Sequence, residues 1–130
     1  NGDIDSPEKA AEVLQYTKAD GVMIGRAAQG RPWIFKEIEY YLENDKLLPE
    51  ICLYDRHSII TSHLRKLHGF YGELKGVWYG RKHVAAYVKE LKDSREFMTH
   101  FNQIQTPDAQ IERVAEYFEC LSTNERVLAA

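Results

Sequence analysis

Along the 130 residues the spacing of apolar positions changes character once, and the change divides the chain. In the first third, Ala10, Val13, Leu14 and Thr17 recur at helical spacing behind Ser6, a candidate N-cap, Pro7 at the first helical position, and Glu8 at the positive end of the dipole. That helix should stop near Ala19. Gly21-Val22-Met23-Ile24-Gly25 is a short, wholly apolar run between glycines, which predicts a parallel strand covered on both faces. A polar loop, Arg26 to Gly30, follows, and Pro32 then opens a second helix with Ile34, Phe35, Ile38, Tyr41 and Leu42 on one side. With Ile4 read as the tail of an earlier strand, the order is strand end, helix, strand, helix. That is the closing piece of a repeating β/α architecture.

Beyond an acidic connector from Asn44 to Ile51, which contains Pro49, only the helical period remains. Asp55 is expected to cap a helix with Ile59, Ile60, Leu64 and Leu67 inward, ending near Gly69. A second helix carries Val77, Val84, Tyr87, Val88 and Leu91, and Gly72, Gly76 and Gly80 weaken its start by roughly 1 kcal/mol each where they fall inside it. Ser94 is expected to cap a short helix with Phe97, Phe101 and Ile104. Thr106-Pro107 starts the last, with Ile111, Val114, Ala115, Phe118 and Leu121 inward. Four amphipathic helices joined by short connections predict a bundle.

Composition adds little until charge is mapped. The 44% hydrophobic and 28% charged content fits a globular protein, and no apolar run approaches the roughly 20 residues of a membrane helix. Cytoplasmic location is therefore expected, with no membrane contact. Residue 1 is Asn, and Asn1-Gly2-Asp3 has neither the basic start nor the apolar middle of a signal peptide, so the chain reads as cut from something longer. Cys52 and Cys120 form no CxxC and no Cys/His spacing, so both are expected to be buried free thiols. Asp55 and His63 lack a further ligand at suitable spacing, and no metal site is expected.

The net charge of −3 is unevenly spread. Residues 56–92 hold eight Lys and Arg against two Glu, a net +6, which leaves −9 for the remainder. Four of the five histidines, His57, His63, His68 and His83, lie in the same stretch. Such sorting suits a polyanion. Arg81, Lys82, Lys89 and Lys92 can share a broad helical face, with Tyr71, Trp78, Tyr79 and Tyr87 interleaved. Cations neutralise phosphates and aromatic rings offer stacking surfaces to unpaired bases, so folded RNA is the expected partner, rather than DNA. The plainer reading makes Trp78 and Tyr87 core residues and the lysines a solvated face.

A second candidate site lies at the start. Asn1-Gly2-Asp3 and Gly25-Arg26 each follow an inferred strand, one β/α unit apart. In a (β/α)8 barrel the loops after the last two strands commonly hold a phosphate, and small residues there let backbone N–H groups approach it. Gly2 and Gly25 meet that need, and Arg26 adds a charge.

Here the sequence resembles a known family. Asn1-Gly2-Asp3-Ile4, Asp20-Gly21-Val22-Met23-Ile24-Gly25-Arg26-Ala27-Ala28 and Gly30-Arg31-Pro32-Trp33-Ile34-Phe35 resemble the end of the barrel in bacterial tRNA-dihydrouridine synthases, most closely the DusB type. The likeness continues through Lys75-Gly76, Arg81-Lys82-His83, Phe101-Asn102 and Tyr117-Phe118, with one departure, Ala86 before Tyr87 where relatives often carry an aromatic residue. The resemblance implies a mainly α chain: a terminal β/α unit of a TIM (β/α)8 barrel over 1–43, a connector over 44–53, and a C-terminal helical, tRNA-binding bundle over 54–130. It implies contacts from Asn1, Gly2, Asp3, Gly25 and Arg26 to the phosphate and ribityl end of FMN, and RNA contacts from Lys75, Arg81, Lys82, His83 and Lys89. Enzymes of this kind use NADPH to reduce FMN, then pass hydride to C6 of a D-loop uridine in tRNA while a cysteine protonates C5. That cysteine is expected before Asn1, so neither Cys52 nor Cys120 takes its role, the chain alone is expected to be inactive, and the parent enzyme is expected to be a monomer. Two other readings stay open: a stand-alone helical RNA-binding module, and the tail of another FMN barrel such as a dihydroorotate dehydrogenase relative.

Overall fold

The computed structural model describes residues 3–129 and divides into two compact units, Asn1–Glu50 and Ile51–Ala130. In the first unit, α1 (Pro7–Thr17) begins as the sequence requires: Ser6 is extended and its side chain accepts a hydrogen bond from the Lys9 amide at 3.2 Å. It ends when Lys18 turns left-handed at φ 58° and returns its N–H to Leu14. A 3-10 turn, Arg26–Ala28, leads to α2 (Ile34–Asn44), which starts two residues later than Pro32 because Pro32 and Trp33 form a tight turn, closed by Ile34 N donating to Arg31 O at 3.1 Å. Ile4, Ala10, Ile34 and Ile38 form the core, with Val13, Val22, Ile24, Ala27 and Ala28 packed around it. Phe35 and Leu42, expected inward, are 53% and 48% exposed. Phe35 sits one position, about 100°, off the Ile34–Ile38 line, whereas Leu42 continues that line at i+4 into the last turn of α2, past the four-residue core.

The strand expected over residues 21–25 does not form: among the described residues there is no β-ladder. Val22 and Ile24 do turn inward and Met23 outward, the alternation of an extended segment, but a strand is defined by a neighbour that shares its hydrogen bonds. The described architecture is all-helical.

The second unit is built on α3 (Leu53–Val88), which folds back on itself at Gly72, whose φ of 83° and ψ of 173° only glycine adopts readily. Its two arms run antiparallel: the Arg56 guanidinium donates to Tyr87 O, His63 meets Tyr87, and Gly80 lies against Leu64. A Cβ on Gly76 would sit 2.7 Å from His68 Cα, so this glycine is what lets the arms touch. The two arms are the first two helices expected from the pattern. The caps differ from expectation: Cys52, not Asp55, is the N-cap, its Sγ accepting from the Asp55 amide at 3.4 Å. Asp93 rather than Ser94 caps α4 (Ser94–Phe101), from a left-handed conformation at φ 58°. Both cysteines are exposed rather than buried, because Cys52 precedes the helix and Cys120 falls between the inward positions of α5 (Pro107–Ala129).

Ile60, Leu64, Val84, Val88, Phe97, Phe101, Val114 and Phe118 fill this core. At its centre lies one fully buried polar side chain, Gln110 of α5. Its Nε2 donates to Val77 O at 3.0 Å, so its Oε1 must accept from His68 Nε2 at 2.7 Å, which fixes the tautomer of that imidazole. Through Gln110, α5 grips both arms of the hairpin.

Candidate functional site

The first candidate is an open cleft of about 680 Å³ in the first unit, lined by Asp3, Ile4, Asp5, Met23, Gly25, Arg26 and Ala27. Three of the five predicted cofactor residues, Asp3, Gly25 and Arg26, are therefore brought together across more than 20 positions of chain. Asn1 and Gly2 lie outside the described residues. Asp3 adopts φ 52° and points both carboxylate oxygens at Arg26 Nη2, each at 2.6 Å. The pair is exposed, 80% for Arg26 and 69% for Asp3, so water and salt screen it and its contribution to stability is small. Its value lies in aim, since one nitrogen makes both bonds and Nε and Nη1 remain on the guanidinium fork for another acceptor.

Around Arg26 the backbone adds donors. The 3-10 turn makes its first bond from Ala28 N to Gly25 O, so the amides of Gly25, Arg26 and Ala27 precede any acceptor within the turn. A Cβ at Gly25 would meet nothing within 4 Å, so the backbone is open to a close ligand. Donors for an anion thus stand beside the carboxylates of Asp3 and Asp5, which accept from hydroxyls. That mixture suits a ligand that is phosphate at one end and polyol next to it, and it suits a bare anion poorly, because the Asp3 carboxylate already pairs with the guanidinium.

The second candidate is the outer face of the second arm of α3. Lys75, Lys82 and Lys89 are all exposed and, at intervals of seven, form one stripe along the arm. Trp78 (50% exposed) and Tyr79 (47%) lie on the same face, one turn from Lys75, while Phe70, Tyr71 and Leu74 continue it around the bend. Tyr71 packs edge-on against both Phe70 and Tyr79, at 4.9 and 4.6 Å between centroids. So many large apolar groups in so few residues form a contiguous patch beyond the scattered exposure common on protein surfaces.

Two predicted RNA residues are placed differently. Arg81 is half-buried and its Nη2 donates to Ile104 O at 2.9 Å, tying the hairpin to the segment before α5. His83 is half-buried against His63, ring centroids 4.6 Å apart, and His63 in turn meets Tyr87 Oη at 3.0 Å. Burial pushes both imidazoles below the ordinary histidine value, with each other's or a neighbouring lysine's charge adding to it. They are neutral at pH 7, so the positive charge of this face comes from lysine and arginine. Trp78 and Tyr87 split the plainer reading between them: Tyr87 is core and Trp78 is not.

A groove of about 720 Å³ lies on the first arm of α3 and α5, where Tyr54, His57, Ser58, Thr61, Ser62, Arg65 and Lys66 form a helical stripe. No site was expected there. Its signal was present as hydroxyl and basic residues at 3- and 4-residue spacing, but the same spacing reads equally as a solvated face. His57 is held there by stacking on Phe118, 5.3 Å between centroids, and burial lowers its pKa.

A search against protein-family models matches residues 1–124 to the family described as dihydrouridine synthase (Dus). The chain is 53% identical over 118 residues to tRNA-dihydrouridine synthase B of Pseudomonas syringae pv. tomato, covering 91% of this chain and 35% of that protein. It is 48% identical to the protein of the same name from Serratia marcescens, over 98% of this chain and 38% of the relative. With that of Pseudomonas aeruginosa it shares 49% over the whole chain and 39% of the relative. The chain spans just over a third of the length of these relatives.

Proposed function

Since the chain belongs to the dihydrouridine synthase family, we propose that it is the portion of a tRNA-dihydrouridine synthase that holds the phosphate end of FMN and grips the tRNA. Residues 1–43 act as the end of the flavin barrel, 44–53 as connector and 54–130 as the tRNA-binding domain. The parent reduces uridine to 5,6-dihydrouridine in the D-loop, with NADPH as reductant.

One observation carries the cofactor half of this reading: Asp3 and Arg26, far apart in sequence, meet at one cleft beside Gly25, whose backbone is unobstructed. In that cleft Arg26 and the amides hold the phosphate and the carboxylates of Asp3 and Asp5 take the ribityl hydroxyls. FMN, when bound, supplies the hydride for the uracil ring. In this reading neither Cys52, which serves as a helix cap, nor Cys120, on α5, protonates the substrate.

For the RNA half, Lys75, Lys82 and Lys89 contact phosphates while Trp78, Tyr79 and the rings at the bend stack on unpaired bases. Arg81 and His83 support that face from behind. The target nucleotide must leave its stack to reach a flavin, so a second surface that holds the tRNA body is a mechanical requirement of the reaction. The stand-alone RNA module is disfavoured because the family match runs through both units, and a small-molecule flavin barrel has no use for a cationic aromatic face.

The test is tRNA binding by the full-length enzyme across a salt series. Replacing Lys75, Lys82 and Lys89 together by Ala should lower the slope of log affinity against log salt by about 1 for each phosphate no longer neutralised. Trp78→Ala should weaken binding by about 1–3 kcal/mol with the slope unchanged, because stacking releases no counterions. An unaltered slope in the triple variant would reassign the lysines to solvation. The 130-residue chain alone should show no uridine reduction.

A further inference from the structure

Arg31 belongs to the run Gly30-Arg31-Pro32-Trp33 that follows the cleft, and no ligand contact is expected of it. Its surroundings are more organised than a loop exit requires. The loop is a succession of tight turns, with Ala28 N bonded to Gly25 O, Gln29 N to Arg26 O, Arg31 N to Ala28 O and Ile34 N to Arg31 O. Arg31 is thus fixed at its own backbone on both sides.

Its side chain then reaches back across the unit. Nε and Nη2 donate to the two oxygens of Glu37 at 3.2 and 2.8 Å, a two-pronged pair, while Nη1 donates to the carbonyl of Asp5 at 3.2 Å. Glu37 stands in the first turn of α2, and Asp5 lines the cleft just ahead of the Ser6 cap of α1. The Glu37 side chain is 19% exposed and that of Arg31 39%, so the pair is shielded more than the Asp3–Arg26 pair at the mouth. One planar guanidinium therefore joins three things: the turn that carries Arg26, the start of α2, and the segment that carries Asp3 and Asp5. A lysine in its place could not, because an ammonium lacks the fork that meets two carboxylate oxygens and a third acceptor at once.

We propose that Arg31 is a positioning residue for the phosphate end of the cleft: it holds the Asp3–Asp5 wall at a fixed distance from the Gly25–Ala27 amides, without itself touching the ligand. This rests on the flavin-phosphate reading above. A fixed gap matters because amide and guanidinium donors must lie within hydrogen-bond distance of the same phosphate, and a displacement of about 1 Å takes them out of it. The isoalloxazine ring carries no phosphate, so its binding would not depend on this gap.

That difference supplies the test. In the full-length enzyme, dissociation constants are measured for FMN and for riboflavin, which lacks the phosphate, in the parent protein and in Arg31→Ala and Arg31→Lys. The parent should prefer FMN. Both variants should lose that preference by about tenfold or more, the scale of one or two charge-assisted hydrogen bonds, while riboflavin affinity stays within about twofold. A role confined to general stability would weaken both ligands together, and that result overturns the proposal. So does a retained FMN preference in Arg31→Lys beside a loss in Arg31→Ala, which would make charge and not the fork the agent. If Arg31→Ala does not fold, the lysine variant decides. A parent enzyme that binds FMN no better than riboflavin would instead remove the phosphate reading itself, and a parent that prefers FMN with variants that match it removes only the role of Arg31.

Discussion

The two units differ in what holds them. The second is organised around a helical hairpin whose arms, with α4 and α5, bury Phe97, Phe101, Phe118 and a ladder of aliphatics. Among the described residues the first buries five, Ile4, Pro7, Ala10, Ile34 and Ile38, and its stretch from Lys18 to Gly25 belongs to no helix or strand. Met23, Phe35 and Leu42 stay largely exposed there. Yet the first unit carries the more exact polar geometry, with Asp3–Arg26 and Asp5–Arg31–Glu37 spanning its segments. Apolar packing fixes one unit and directional ion pairs register the other. Burial is non-directional and roughly proportional to area, whereas a guanidinium fork constrains angle as well as distance.

The contrast can be broken most forcefully in the hairpin core. Phe101→Ala removes a fully buried ring packed on Phe97 and should cost about 3–5 kcal/mol, read as a shift in the denaturation midpoint followed by helical circular dichroism. A change near zero would mean that the second unit is not organised by this core.

Gly76→Ala comes next. An alanine ordinarily helps a helix by about 1 kcal/mol, but here its Cβ would collide with the His68 backbone at 2.7 Å, and overpacking costs about 1–3 kcal/mol. A net loss of stability is expected, and a gain would show that the arms are free to part.

Replacing Gln110 by Leu should then cost about 1–3 kcal/mol, since it strands His68 Nε2, which has been donating to Oε1 inside the core. His68→Leu added on top should restore part of the loss. Full additivity of the two changes would refute a shared network.

The smallest effect concerns pH. His57, His63 and His83 have folded pKa values below the ordinary 6.5, so the unfolded chain takes up protons first as the pH falls. Their contribution is complete above pH 6.5 and declines as pH drops below it toward the folded values. The melting temperature should therefore fall between about pH 7 and 5.5, and less so in a His63→Gln, His83→Gln double variant. Equal slopes in both proteins would place the acid sensitivity on other groups.

Much of the helical unit was legible in the chain. The spacing of Ile60, Leu64 and Leu67, of Val77, Val84 and Val88, and of Val114, Phe118 and Leu121 marks the buried faces that the structure shows. In the first unit the pattern misjudged residues 21–25, whose apolar run has no neighbouring strand to share hydrogen bonds with among the described residues. The other misjudgements were local: the caps at Cys52 and Asp93, the start of α2, and the exposure of Phe35 and both cysteines. Each of these depends on one or two residues of position along or around a helix, and a period of about 3.6 averages over that.

By itself the sequence determined where helices lie, which faces are apolar, that positive charge concentrates in residues 56–92, and that the motifs from Asn1 to Phe118 resemble the dihydrouridine synthases, because these are properties of neighbours along the chain. Tertiary structure alone decided that Gly72 reverses the chain and Gly76 admits its partner arm. It also turned Arg81 inward while Lys82 stayed out, and joined Arg31 to Asp5 and Glu37. Those outcomes are set by atoms distant in sequence competing for one volume or one lone pair, and a one-dimensional pattern carries no record of that competition.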